Sequence, residues 1–366
     1  MDTDSTKPIF TVSRSWPDEH WDQFLSSNPS GQFQQSSLWA QVKVVESWEC
    51  ARLLVQRDGR LVGGAQLLFR STRFGKIGFI NKGPVLAPGA EDLFPSLLEA
   101  LRSLCLSLHL QAWVLQPPDE SMWQTQPLHH NGYLPAYSLG IIDATLLLDL
   151  SNNLDIICKN INRTTRQKAH QAERAGVRIR IGDESDVSLF FDLMKKTCQR
   201  QRAEPNPKSV STFFEMWRAF QPSGRIRLTF AEMAGLPAAG LLCLIFGRRV
   251  TLWKKGWNSS SVQFHPNELL HLETIKWAWE SGYQYCDFAA LDRGTAEAML
   301  ASIPLTQEQK HSRHLFNIKL GAAPKLLPRA VLFIANPFAR DLYRTVVRIP
   351  RLASFLRMLA KGLSQK

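Results

Sequence analysis

What this chain of 366 residues lacks is the first thing that narrows it. No apolar run approaches a membrane span: the longest clean one, Ala238 to Phe246, is about half of the roughly 20 residues a spanning helix needs. The opening Met1-Asp2-Thr3-Asp4 is acidic and polar, unlike a secretory signal. The six cysteines (Cys50, Cys105, Cys158, Cys198, Cys243, Cys286) are each at least 40 residues apart, with no Cys-x-x-Cys pair. That spacing argues against a disulfide framework or a zinc ribbon and for reduced, core-type cysteines, so a cytoplasmic protein is expected. The common catalytic signatures are missing too: no phosphate-binding loop, no Gly-x-Gly-x-x-Gly, no His-Glu-x-x-His and no Gly-x-Ser-x-Gly. His311-x-x-His314 has no third ligand nearby, so no metal is expected. Extended heptads and short repeats are also lacking.

What is present is apolar substance and unevenly placed charge. Hydrophobic residues make up 44% of the chain and there are 36 aromatics, enough for two packed domains and too much for global disorder. The net charge is +12, but Lys159 to Arg180 carries +6 and Lys325 to Lys366 carries +8, so the remaining body is −2. The first basic run has helical spacing and closes on Ala175-Gly176, as a helix does before a strand. It reads either as a phosphate-contacting helix, for RNA or a lipid-linked diphosphate, or as a solvated face. In the tail, Arg340, Arg344 and Arg348 fall on one side of a helical wheel, with Leu342, Tyr343, Val346, Val347 and Ile349 opposite. After Pro350 a second stripe runs through Leu352, Phe355, Leu356, Leu359 and Leu363. Such a helix either lies on an anionic membrane surface or packs its apolar side on the body.

The most informative pattern is a duplication. Leu53-Leu54-Val55, a turn at Asp58-Gly59 and Leu61 to Ala65 form one expected hairpin. Leu228-Thr229-Phe230, a turn at Ala234-Gly235 and Leu236 to Gly240 form another. Asn81-Lys82-Gly83-Pro84 then matches Lys254-Lys255-Gly256-Trp257 at a third strand, and each copy runs through a proline (Pro88, Pro266) into a helix and a further strand. The offsets are 175, 173 and 178 residues at Leu61/Leu236, Lys82/Lys255 and Pro88/Pro266. Two copies of one α/β (α+β) unit are therefore expected. The first would span residues 1–150, with the C-terminal helices of 322–366 packing back on it, and the second 151–321. Arg60-x-x-Gly63-x-Ala65 fits a loose pyrophosphate-loop pattern, but it lies inside a hairpin rather than at a helix N-terminus and is discounted.

Several segments, taken in order, resemble the Fem family of peptidoglycan-bridge aminoacyltransferases. Phe33-Gln34-Gln35-Ser36-Ser37-Leu38-Trp39-Ala40-Gln41-Val42-Lys43 is similar to its early motif, Asn81 to Pro84 to its Lys-Gly-Pro strand end, and Lys159 to Val177 to its basic helix. His265 to Ala278, with Gly282 and Tyr285-Cys286-Asp287-Phe288, is similar to its second-domain helix and strand. The resemblance implies two tandem N-acetyltransferase-like (GNAT) domains. It implies an enzyme that takes an aminoacyl group from the acceptor end of a charged tRNA, as co-substrate and without a resident cofactor. The acceptor would be an amine on the stem peptide of a lipid-linked or nucleotide-linked peptidoglycan precursor.

By the same resemblance Lys43, and a base near Arg202 or Lys208, would bind substrate phosphates, with Lys255 and Trp257 also lining the substrate. The family's Phe-Lys-x-x-Phe-Gly pattern, whose lysine lies close to the transfer chemistry, is matched by Phe316-Asn317-Ile318-Lys319-Leu320-Gly321, so Asn317 takes the lysine's position. Read as a strand, this segment projects Lys319 to the same face about 7 Å on, and Asn317 and Lys319 are the candidate catalytic residues. A backbone N–H at a β-bulge would stabilise an oxyanion with no signature side chain. An alternative of the same fold is an acyl-coenzyme A-dependent N-acyltransferase of envelope polysaccharide or secondary metabolism. A third is a non-catalytic membrane-associated binding protein. A cytoplasmic monomer, peripheral to the inner face of the membrane, is expected.

Overall fold

The computed structural model describes residues 7–73, 75–121, 125–136, 141–310, 312 and 314–347. They divide into two units, residues 1–143 with 327–366, and residues 144–326. In the first run β1 (Ile9–Ser13), α1 (Glu19–Ser27), α2 (Ser37–Val44), β2 (Glu49–Arg57), β3 (Arg60–Thr72), β4 (Gly75–Asn81), β5 (Val85–Leu86), α3 (Phe94–Ser107), β6 (Leu110–Gln116), α4 (Thr125–His130) and β7 (Leu134–Pro135). The second holds β8 (Ala144–Asp149), α5 (Leu154–Asn160), α6 (Arg163–Arg174), β9 (Arg178–Ile181), α7 (Val187–Arg200), α8 (Val210–Phe220), β10 (Ile226–Met233), β11 (Leu236–Phe246) and β12 (Arg249–Trp257). It continues through α9 (Pro266–Glu280), β13 (Tyr285–Asp287), α10 (Arg293–Leu300), α11 (Gln307–Lys310), α12 (His314–Ile318) and β14 (Ala323–Leu326). The chain then returns to the first unit as β15 (Val331–Ile334) and α13 (Pro337–Val347).

Both expected hairpins form, and they close with the same turn. Asp58-Gly59 has φ of +53° and +71°, and Ala234-Gly235 has +50° and +77°. Positive φ at both central residues is the two-residue turn whose twist matches that of the flanking strands. Arg60 to Ala65 lies in β3, so the pyrophosphate-like pattern is part of a strand. In each unit three antiparallel strands lead into a helix and a strand parallel to the third: β4 with β6, and β12 with β13.

The sheets run β1-β2-β3-β4-β6-β15-β7 and β14-β8-β13-β12-β11-β10-β9. The run Ala238 to Phe246 is all of β11 but its first two residues and is buried throughout. Its alternate members Ala239, Leu241, Cys243 and Ile245 join the core that holds Ala169 and Ala172 of α6 and Leu270 and Ile275 of α9. In the first unit, Leu97, Leu101 and Cys105 of α3 pack on Leu53, Leu67 and Trp113 of the strands.

Two expectations are corrected. Residues 144–150 belong to the second unit, because β8 pairs antiparallel with β13 from Asp149↔Tyr285 to Leu147↔Asp287. Residues 322–326 belong there too, since β14 pairs with β8, and β15 takes the equivalent place beside β6 in the first sheet. The first sheet is thus completed by a strand from the far side of the second copy in sequence, which no local pattern reveals. The basic run is also two helices rather than one. It breaks at Ile161, which is buried, and Asn162 restarts it by accepting from Thr164 N. Gly176 has φ +93°, as expected after the helix end. The stripe after Pro350 lies outside the described residues.

The second sheet is held closely to α7. A Cβ on Gly256 would fall 2.4 Å from Met194 N and 2.5 Å from Leu193 C, both backbone atoms. Gly256→Ala is therefore expected to destabilise the protein by about 2–3 kcal/mol through overpacking. Gly235→Ala, with nothing near its Cβ, should cost only about 1 kcal/mol for its positive φ. Urea unfolding of the two variants checks the order.

Candidate active site

The parallel pair in the second unit stops early. β12 and β13 pair only from Arg249↔Tyr285 to Thr251↔Asp287, while β12 continues six residues to Trp257. The cause is Asp287. Its buried carboxylate accepts from Thr145 Oγ1 at 2.5 Å, from Ala289 N at 2.9 Å and from Arg249 Nη1 at 3.1 Å. The bond to Ala289 N, with Ala289 at φ +72°, turns the chain away from β12. Along β12, Asn258 N donates to Ala238 O of β11, and Trp257 N points the other way, to Thr197 Oγ1 at 2.9 Å. Because successive N–H groups alternate, that of Lys255 is also directed away from β11. The β11–β12 register shifts between Leu242↔Lys254 and Cys243↔Leu252, which leaves Trp253 as the extra residue of a bulge.

Lys255 is the centre of the side-chain cluster here. Its Nζ donates to Asn317 Oδ1 at 3.2 Å and lies 4.9 Å from the centroid of the Phe316 ring. Phe316 in turn meets the His271 ring edge-on at 4.9 Å. His271 Nδ1 lies 2.8 Å from Asn267 O, and since a carbonyl only accepts, the proton is on Nδ1. Burial, helped by the Lys255 charge, pushes the His271 pKa down to about 3, so the ring is neutral at physiological pH.

The sequence-derived candidates separate in this geometry. Asn317 is buried and touches Lys255. Lys319 does not share its face: residues 314–318 are helical, not a strand, and two residues along a helix turn about 200°. Lys319 is exposed, just beyond α12, and its carbonyl accepts from Asn162 N. Trp257 stands at the end of β12 with the Arg200 guanidinium 4.2 Å over its ring, and its carbonyl accepts from Arg200 Nη2. Arg202 and Lys208 are both exposed in the 201–209 connection, Arg202 at φ +51°. Lys43, in the first unit, pairs with Glu46 and lies 5.1 Å from the Trp39 centroid. Neither His271 nor Arg200 is among the candidates the sequence offers; the spacing from His271 to Asn317 carries no local pattern that would join them.

The first unit treats the equivalent strands differently. β4 and β6 pair from Lys76↔Leu110 through Asn81↔Gln116, and Gly83 N continues the ladder to Gln116 O. The gap lies instead between β3 and β4, and the Gln35 side chain fills it. Its amide donates to Asn81 O at 2.6 Å and accepts from Gln66 N at 2.7 Å. A Cβ on Gly83 would fall 2.6 Å from Gln35 Oε1, which is why the third residue of Asn-Lys-Gly-Pro is glycine. Lys82, at φ +58°, forms a buried 2.6 Å pair with Asp119. Among the described residues no group of three or more His, Cys, Asp or Glu is placed to hold a metal ion, and no helix is long and apolar enough to cross a membrane.

His271 makes stability depend on pH. Its folded pKa is depressed below the unfolded value near 6.5, so the unfolded chain binds the extra proton. Its contribution is complete above about pH 6.5 and declines as pH falls toward 3. The urea midpoint is expected to drop between pH 7 and pH 4.5, and His271→Gln should flatten that part of the curve.

Comparison with known proteins agrees with this architecture. Residues 17–118 match the FemAB family and residues 159–297 match an acetyltransferase (GNAT) domain. The lipid II:glycine glycyltransferase of Staphylococcus aureus (strain MRSA252) is 26% identical over 227 residues, 59% of this chain and 53% of that protein. The chain spans about half the length of the curated relatives it matches. A crystal structure of FemX superposes with a TM-score of 0.76 at 18% identity, covering 91% of this chain and 99% of the other. A tandem GNAT protein from the clavulanic acid biosynthesis pathway gives 0.54 at 14% identity, covering 90% and 99%. With a FemAB match in the first unit, a GNAT match in the second and these superpositions, the chain is similar to the FemAB family over residues 17–118 and has the fold of two tandem GNAT-like domains.

Proposed function

We propose that the protein is an acyltransferase that moves an aminoacyl group from the acceptor end of a charged tRNA to an amine of a lipid-linked peptidoglycan precursor. The observation that carries this reading is the parted β12–β13 pair, with the Lys255 N–H and ammonium at its mouth. The name of the staphylococcal relatives, lipid II:glycine glycyltransferase, supports the reaction class and the lipid-linked acceptor. The exposed bases Arg163 and Arg174 of α6 offer phosphate contacts suited to an RNA donor.

The chemistry asked of the chain is modest. The acceptor nitrogen attacks the ester carbonyl carbon, a C–N bond forms, the C–O bond to the ribose breaks, and the amine proton ends on the departing ribose oxygen. Between these events the carbonyl oxygen carries a negative charge. A strand-edge N–H and an ammonium already held by Asn317 and Phe316 stabilise that charge without reorganising. Neutral His271 adds no second positive charge beside Lys255, and its apolar surroundings keep water from weakening the interaction. Lys255, rather than Lys319, then takes the part that the family pattern gives to a lysine at position 317.

The test is transfer of a labelled amino acid from charged tRNA to a purified lipid-linked precursor, run beside acyl-coenzyme A donors and a nucleotide-linked acceptor. Transfer from acyl-coenzyme A but never from tRNA would overturn the donor assignment and favour the acyl-coenzyme A reading. Lys255→Met is expected to lower kcat about 100-fold, the scale of losing one oxyanion donor, with KM for the acceptor little changed. Lys319→Ala should stay within about twofold of the parent. Equal losses in both variants would refute the assignment to Lys255.

A further inference from the structure

The helix α13 presents the wrong residues to solvent for a simple packing element. Its inward side is polar: Arg340 lies 4.4 Å over the Phe333 ring and donates to Ile334 O, and the Tyr343 hydroxyl donates to Pro135 O. Its outward side carries Phe338, 80% exposed, and Leu342, 56% exposed, one helical turn apart. This reverses the wheel-based expectation, in which Arg340 stood on the solvent side and Tyr343 beside Leu342. Large apolar side chains at i and i+4, fully outward on a pinned helix, need a partner to leave water.

The charge around them says which partner. Arg102 and Arg340 both lie against Phe333, at 5.3 and 4.4 Å. The positive charges of Arg102 and Arg344 help depress the Arg340 pKa, after burial, against a smaller opposing effect of Asp341. Asp341 is itself taken by Arg344 at 3.0 Å. The 19 residues that follow α13 in the sequence contain Arg348, Arg351, Arg357, Lys361 and Lys366 and no Asp or Glu. An exposed apolar pair on a helix that also carries exposed Arg344, in a chain whose sequence continues basic, fits an anionic lipid headgroup layer with acyl chains beneath it.

We propose that the outward face of α13, with Phe338 and Leu342 entering the acyl boundary and Arg344 and its basic neighbours on the headgroups, docks this protein on an anionic bilayer. This goes beyond the proposed transferase reading and does not depend on it, since the surface is defined by α13 alone.

The experiment is co-sedimentation of the full chain with phosphatidylglycerol/phosphatidylcholine vesicles that contain no peptidoglycan precursor, so a failure here leaves the transfer reaction separately testable. Binding is expected to vesicles with phosphatidylglycerol and not to pure phosphatidylcholine, and to weaken at least fivefold between 0.1 and 0.5 M NaCl. Phe338→Ser/Leu342→Ser should raise the half-saturating lipid concentration at least tenfold, with an unchanged melting curve expected because both side chains are exposed. In the unmodified chain, amide exchange over residues 336–347 should slow on vesicles while exchange over α3 does not. Vesicle binding unaffected by the double substitution, unchanged exchange in α13, or a concentration-dependent dimer abolished by the same substitutions would each overturn the proposal, the last by making the face a contact between two copies of this chain.

Discussion

The candidate site depends on one buried carboxylate. Asp287 ends β13, and by accepting from Ala289 N it bends the chain off the line that would have kept it paired with β12. Thr145 and Arg249 hold the same carboxylate from β8 and β12, so the bend is fixed on both sides. A buried anion is tolerable only when its lone pairs are used, and here three donors use them. The result is that β12 runs on past the point where β13 leaves it, in the middle of a sheet. Lys255, Asn317, Phe316 and His271 gather there.

The two copies have diverged in where each sheet opens. In the second, the parallel pair parts, and the antiparallel pairs run on with register shifts at Trp253 and at Ala238. In the first, the parallel pair is zipped through Gln116 and the opening between β3 and β4 is filled by a side-chain amide that imitates a peptide group. Gln35, Ser36 and Trp39 thus serve local architecture: Gln35 closes the sheet, Ser36 caps α2, and Trp39 packs on Phe33 beneath Lys43. One ancestral frame supplies a parted strand pair in one place and a stapled support for a helix in the other.

Much of this was legible in the chain itself, and what was not has a physical reason. The hairpins were visible because turn chemistry is local: Asp-Gly and Ala-Gly between apolar runs admit few geometries. The duplicated order of strands, helix and strand followed from equal spacing. The placement of β8 and β15 was hidden because strand pairing across the whole chain leaves no mark in either strand's alternation. The Phe316–Gly321 segment misled for another reason: a five-residue helix is too short to show a period, so Lys319 was given to the wrong side. Lys255 and Asn317 were both singled out, but their contact joins positions 62 residues apart and required the fold.

The return of β15 to the first sheet bears on how the molecule is made. A ribosome delivers residues 144–326 complete, with every strand of the second sheet present before the chain moves on. The first sheet, although begun first, has no β15 to lay against β6 until residue 334 has emerged. The earlier-born half therefore finishes later, carrying an unsatisfied strand edge through most of its own synthesis.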